Sequence, residues 1–185
     1  SWALFLGIGT MMIAHGLQMQ IMGIRSVLEE FSVLTIGVFM SGYYVGYFIG
    51  SKTTPNLVQK VGHIRVFAAF ASLASLSALI AVAYVNPLMW TISRFITGIS
   101  LVSCYVVSES WLNDRATNKN RGQLLSAYMI VLYFGLAIGM LLLNISEPKA
   151  YEPFILVSVL LSLALVPILL IKRPAPKFKK IGTIS

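Results

Sequence analysis

The chain has 185 residues, of which 57% are hydrophobic and only 11% charged, and its mean hydropathy is +0.83. Too little polar side chain remains to clothe a water-soluble globule of this length, so lipid is the expected solvent. The formal charge of +8 would suggest nucleic acid in a soluble protein, but in a membrane chain it bears on topology, and no nucleic-acid partner is expected.

A bilayer core about 30 Å thick needs about 20 mainly apolar residues in a helix that rises about 1.5 Å per residue. The sequence supplies such runs repeatedly, and breaking it at charge clusters, prolines and Asn or Gly pairs predicts six spans. The first runs from Trp2 to Ile24; it lacks a basic leader and a small-residue cleavage site and so reads as a span. It carries His15 and Gln18 on one helical face with Met11 and Met22. The second, Leu34 to Ser51, contains Tyr43 and a stripe of Gly42, Gly46 and Gly50 at spacings of four. The third covers Val66 to Val85, and the fourth follows the Asn86-Pro87 turn and reaches Ser108. On the fourth, Arg94 shares a face with Thr97, Gly98, Tyr105 and Ser108, while the single Cys104 reads as packing.

The fifth span, Leu124 to Leu143, repeats the small-residue stripe with Gly135 and Gly139. Small residues let backbones approach in lipid, so the second and fifth spans are expected to cross each other closely. The sixth covers Phe154 to Ile171, with a kink expected at Pro167. Residues 1–171 therefore form a transmembrane bundle. Residues 172–185, with Pro174, Pro176 and several lysines, read as a basic cytoplasmic linker or cut end lying against anionic headgroups.

Lys and Arg in short loops stay on the cytoplasmic side. One face collects Lys52, Lys60, Arg65, Arg115, Lys119, Arg121 and the basic tail, whereas the other has only Arg25 and Lys149 beside Glu29, Glu30, Glu147 and Glu152. Both termini are therefore expected in the cytoplasm, in agreement with an even number of spans.

Three stretches carry a family resemblance. Gln59-Lys60-Val61-Gly62-His63-Ile64-Arg65, read as the loop joining spans two and three, resembles the signature loop of the major facilitator superfamily, with Lys60, Gly62 and Arg65 at its basic, glycine and final basic positions. Pro55, Gln59 and Ile64 depart from that pattern. Arg94-Phe95-Ile96-Thr97-Gly98 resembles the superfamily's R-x-x-x-G element. Glu109-Ser110-Trp111-Leu112-Asn113-Asp114-Arg115, followed by Asn120-Arg121-Gly122, is similar to the loop between spans four and five in the bacterial branch of the YcaD type.

The resemblance implies an all-α membrane fold in which two three-helix inverted repeats make one six-helix bundle, half of a twelve-helix transporter. It implies secondary transport of a small solute across the inner membrane by alternating access, in partnership with a second six-helix half. The first and fourth helices would line the cavity. An acidic residue at the place of Glu109 would pair with the signature loop, so Lys60, Gly62, Arg65 and Glu109 are expected to form a gate or latch.

Ionisable groups inside spans are costly, at least about 2.5 kcal/mol for an Arg at a helix centre, and are functional candidates by default. Counted along the helices, His15 lies about 13 Å, Gln18 about 9 Å and Arg94 about 9 Å below the outer boundary. Arg94, His15 and Gln18, with Tyr43, Thr97, Tyr105 and Ser108, are the expected substrate-cavity residues, Arg94 offering a fixed charge and a planar fork to carboxylate or phosphate. No Asp or Glu stands mid-span. Proton coupling would then fall to His15, whose side-chain type has an unperturbed pKa of about 6.5, or to the second half. Neither a nucleophile with its base nor a metal-ligand cluster is discernible, so no enzyme activity, cofactor or metal is expected. The alternative to a transporter half is a six-helix assembly or receptor subunit that moves nothing.

Overall fold

The computed structural model describes residues 2–171; Ser1 and the basic tail of residues 172–185, expected to be a linker, lie outside the described residues. The elements in chain order are α1 (Trp2–Leu28), α2 (Val33–Val61), α3 (His63–Ala83), α4 (Pro87–Arg115), α5 (Arg121–Leu142), a 3-10 turn (Leu143–Ile145), α6 (Glu152–Leu163) and α7 (Leu165–Leu169). With α6 and α7 counted as one, six helical segments are long and apolar enough to cross a membrane. The sixth is interrupted at Ala164, because Pro167 has no N–H to donate to the carbonyl one turn earlier.

The helix starts follow from local chemistry. Ser32 Oγ accepts from the Thr35 amide at 3.1 Å, and Asn86 Oδ1 accepts from the Met89 amide at 2.9 Å with Pro87 preset in the first turn of α4. Two expected loops are largely helix. Gln59 to Arg65 is divided between the end of α2 and the start of α3, with Gly62 alone between them at φ 92. Straight-chain Gln59 and Lys60 extend α2 beyond its apolar run at little cost, and glycine takes the positive φ that ends it. Likewise Glu109 to Arg115 is the last part of α4. The connection to α5 is only residues 116–120, closed by Asn120 Oδ1 accepting from the Thr117 amide at 2.7 Å.

Helix partners obey an exchange rule. α4 packs mainly on α2 and α3, α1 mainly on α5 and α6, and α3 on α6. Swapping α1 with α4, α2 with α5 and α3 with α6 leaves that pattern unchanged, and α1 and α4 enter from opposite ends of the bundle. Two three-helix units of inverted topology are thus related by a pseudo-twofold axis.

The glycines put this relation in atomic register and correct the expected pairing of spans two and five. Gly42, Gly46 and Gly50 lie against α4, and Gly135 and Gly139 lie against α1. A Cβ on Gly42 would stand 2.9 Å from the Thr91 carbonyl oxygen, and one on Gly135 2.9 Å from that of Gly9. One on Gly46 would overlap the Phe95 carbonyl, and one on Gly139 that of Ile13. In return, Gly98 of α4 meets the Tyr43 carbonyl and Gly16 of α1 meets the Leu136 carbonyl. Gly42, Gly46 and Gly98 of the α2–α4 seam have counterparts in Gly135, Gly139 and Gly16 of the α1–α5 seam, whereas Gly50, against Val102 and Ile99, has none. A stripe of small residues identifies a close crossing but not the helix on the other side, which is why the sequence misled about the partner.

The end of the bundle bearing Glu29, Glu147 and Glu152 is closed by packed rings. Trp90 contacts Phe31 and Phe39 edge-on at 5.5 and 5.4 Å between centroids, Phe154 lies 6.3 Å away, and Trp90 Nε1 donates to the Ala81 carbonyl at 2.9 Å. Arg25 pins the same end, pairing with Glu29 at 2.6 Å and donating to the Lys149 carbonyl at 2.9 Å. At the opposite end His63, expected in the loop joining spans two and three, is buried at the start of α3. Its Nε2 lies 3.0 Å from Ser110 Oγ, and its ring meets Trp111 edge-on.

Candidate solute site

Helices α1 and α4 are the most buried of the six, α2 and α5 the least. Polar side chains on α1 and α4 therefore meet inside the bundle, and five of the seven predicted cavity residues come together there: His15 and Gln18 from α1, Tyr43 from α2, Arg94 and Thr97 from α4. The Arg94 guanidinium carbon lies 4.7 Å from the Tyr43 ring centroid, a cation–π contact. The His15 ring stacks on the same tyrosine at 5.7 Å with 16° between planes.

The R-x-x-x-G spacing has a physical explanation here. Gly98 lies one turn from Arg94, and because it lacks a Cβ the Tyr43 backbone can rest directly on α4. That contact sets the Tyr43 ring over the guanidinium.

Some polar atoms in the cluster are fully bonded. Thr97 Oγ1 donates to the Ser93 carbonyl at 2.9 Å, lies 2.9 Å from Ser77 Oγ, and receives a long bond from Gln18 Nε2 at 3.5 Å. Ser93 Oγ in turn donates to the Ser77 carbonyl at 2.7 Å. Ser77 and Ser93 were not foreseen as members; Ser77 is one of several serines in α3 and also bonds back to the Ala74 carbonyl at 2.6 Å, and the reach of Ser93 across to α3 depends on which helices are neighbours, so neither gave a signal in sequence.

Arg94 differs. Only 4% of it is exposed, yet its Nε and Nη1 have no hydrogen-bond partner, and neither has the buried Nδ1 of His15. Buried polar groups are nearly always bonded, and buried charges nearly always paired. A cation in contact with a ring face and a histidine, with two unused N–H directions, has the chemistry to donate hydrogen bonds to an anion or a carboxylate.

The two remaining predicted residues behave otherwise. Tyr105 lies further along α4, its hydroxyl 3.1 Å from Met12 Sδ of α1, and it is near Tyr43, Tyr47 and Tyr128. Ser108 is buried and donates to the Cys104 carbonyl of its own helix at 2.7 Å, so it does not reach the cluster. At the basic end, Arg65 and Glu109 are exposed. Glu109 neighbours Tyr128, and Arg65 and Glu109 are not paired with each other, unlike Arg25 and Glu29 at the other end. Among the same residues no cluster of His, Cys, Asp and Glu could hold a metal.

The family model of the Major Facilitator Superfamily matches residues 4–183. The chain belongs to the Major Facilitator Superfamily. It is similar to the uncharacterized MFS-type transporter YcaD of Escherichia coli strain UTI89, with 34% identity over 119 residues covering 63% of this chain and 30% of that protein. The same protein of strain HS is 33% identical over the same span. The aligned region is thus less than a third of these relatives. The superfamily is one of membrane transporters, and the six helices of this chain, each long and apolar enough to cross a membrane, form an MFS half.

Proposed function

We propose that this chain is the N-terminal half of a secondary transporter that works by alternating access in the inner membrane, with both termini cytoplasmic and a second six-helix half completing the cavity. The observation that carries the reading is Arg94, buried within a span beside His15 with two nitrogens unbonded. Burial of that kind is costly and is kept where a charge is used. In this reading Arg94, His15, Gln18, Tyr43 and Thr97 contact the solute, and Tyr105 lines the way to it. The basic residues at the Gly62 and α4–α5 connections support the orientation.

His15 is the group for any proton coupling by this half. Arg94 and the ring of Tyr43 face it, and the described mid-span residues include no carboxylate. The test is uptake into liposomes, by the chain alone and with a co-expressed second half. We expect uptake only with both halves, and a pH dependence that disappears in His15→Asn. Uptake absent from every preparation would favour a non-transporting six-helix assembly; pH dependence unchanged in His15→Asn would remove the histidine from coupling.

Glu109 with Arg65, at the ends of Lys60 and Gly62, is proposed as a latch that closes in another state of the cycle. The two are unpaired here, as a latch in its open position would be. Glu109→Lys should impair uptake, and the double exchange with Arg65→Glu should restore much of it. Two single variants with normal uptake would dispose of the latch.

A further inference from the structure

The open valences around Arg94 point beyond transport as such; their biological purpose rests on the transport reading, but the binding they imply is separable from it.

We propose that Arg94 and His15 receive the carboxylate of an organic monoanion whose apolar body lies along Tyr43, Tyr47 and Tyr105. Three directional valences are open: Arg94 Nε, Arg94 Nη1 and His15 Nδ1. A planar guanidinium matches the two oxygens of a carboxylate better than it matches any neutral acceptor. Among the described residues no carboxylate is placed to fill the role. Glu109, the nearer of the two acidic residues on the same helix, is 15 positions from Arg94 by sequence number, about 22 Å along the axis.

Charge count selects a single negative charge. Arg94 is the one permanently cationic side chain in the cluster, and in a low-dielectric setting a second negative charge would stay uncompensated. That disfavours a phosphate dianion and leaves a carboxylate as the fitting head group.

The walls select the body. Tyr43 presents its ring to both Arg94 and His15, Tyr47 follows one turn later on α2 with ring centroids 6.0 Å apart, and Tyr105 with Met12 continues the surface. Exposure rises from the half-buried Tyr43 to the exposed Tyr47. The polar end of the site is therefore deep and its aromatic end shallow, which suits an amphiphilic anion entering head first. Rings and a thioether stack or pack on a planar apolar body.

The experiment is thermal unfolding of the purified protein in detergent with phenylacetate, butyrate, phenylacetamide, phenethylamine and inorganic phosphate. Phenylacetate should raise the melting temperature most and butyrate less, while the amide, the amine and phosphate leave it unchanged. Arg94→Gln should abolish the response. Arg94→Lys, which keeps the charge but loses the fork, should weaken it about tenfold or more.

Equal stabilisation by phenylacetamide, or a response to phenylacetate that survives in Arg94→Gln, would overturn the proposal. So would the absence of any carboxylate response at millimolar concentration, which would assign the valences to a protein carboxylate from the second half. Uptake of a neutral or cationic solute without need of Arg94 would leave transport standing and remove this inference. Carboxylate binding without uptake by any preparation would do the reverse.

Discussion

Replacing Arg94 by methionine should raise the melting temperature of the protein in detergent and abolish solute uptake. The side chain is 4% exposed and leaves Nε and Nη1 without partners. A buried, unsatisfied donor costs about 1–3 kcal/mol, and exchanging an uncompensated buried charge for an apolar group of similar length is often stabilising by a comparable amount. Contact with the Tyr43 ring offsets part of that cost, since a desolvated cation–π pair contributes about 2 kcal/mol, so the expected net gain is small, about 1 kcal/mol. Opposite signs for stability and activity are the mark of a residue retained for function. A lower melting temperature in Arg94→Met would mean that the arginine holds helices together, and the solute site would then have to be sought elsewhere.

The second large effect is expected at Gly46. A Cβ there would overlap the Phe95 carbonyl oxygen and stand 2.9 Å from the Ile99 amide nitrogen, so Gly46→Leu must push α2 away from α4. Overpacking of a tight contact costs about 1–3 kcal/mol and sometimes more. Here the neighbours are backbone atoms, which cannot turn aside as a side chain can, so the upper end or beyond is expected. Uptake should fall as well, because the α2–α4 spacing is what keeps Tyr43 over Arg94. Gly139→Leu should match it in stability, being the equivalent position against Ile13. Gly37→Ala is the control: its Cβ would meet nothing within 4 Å, and relief of glycine's backbone entropy should stabilise the helix by up to about 1 kcal/mol. Thermal unfolding of the three variants checks the set, and a Gly46→Leu protein as stable as the parent would refute the tight crossing.

Much of this architecture was legible in the sequence, because lipid imposes simple demands. Length and hydropathy alone separate the six spans, and Asn86-Pro87 states where α4 begins. Helix ends were less legible. A charged, polar stretch such as Gln59 to Arg65 reads equally well as a loop or as a helix leaving the bilayer, and only the positive φ of Gly62 decides. His15, Gln18 and Arg94 stood out because polar side chains are rare against an apolar background, and the matching depth of Gln18 and Arg94, with His15 one turn deeper, suggested that they meet. That Tyr43 is the piece between them did not follow from spacing; it depends on α2 lying against α4, a choice between partners that periodicity cannot make. Arg65 and Glu109, expected to pair, are not paired with each other in this structure; the latch proposed above would place their contact in another state.

The matched glycine seams have a thermodynamic corollary. Positions that correspond under the pseudo-twofold do not carry corresponding chemistry: from Gly98 to Gly16 and from Gly46 to Gly139, the same step takes Arg94 to Met12 and Tyr43 to Leu136. One groove is therefore hydrophilic and its twin is oily, although their backbones are alike. Under the transport reading proposed above, water would enter the first more readily than the second, so sliding motions of equal amplitude along the two grooves would have unequal energies.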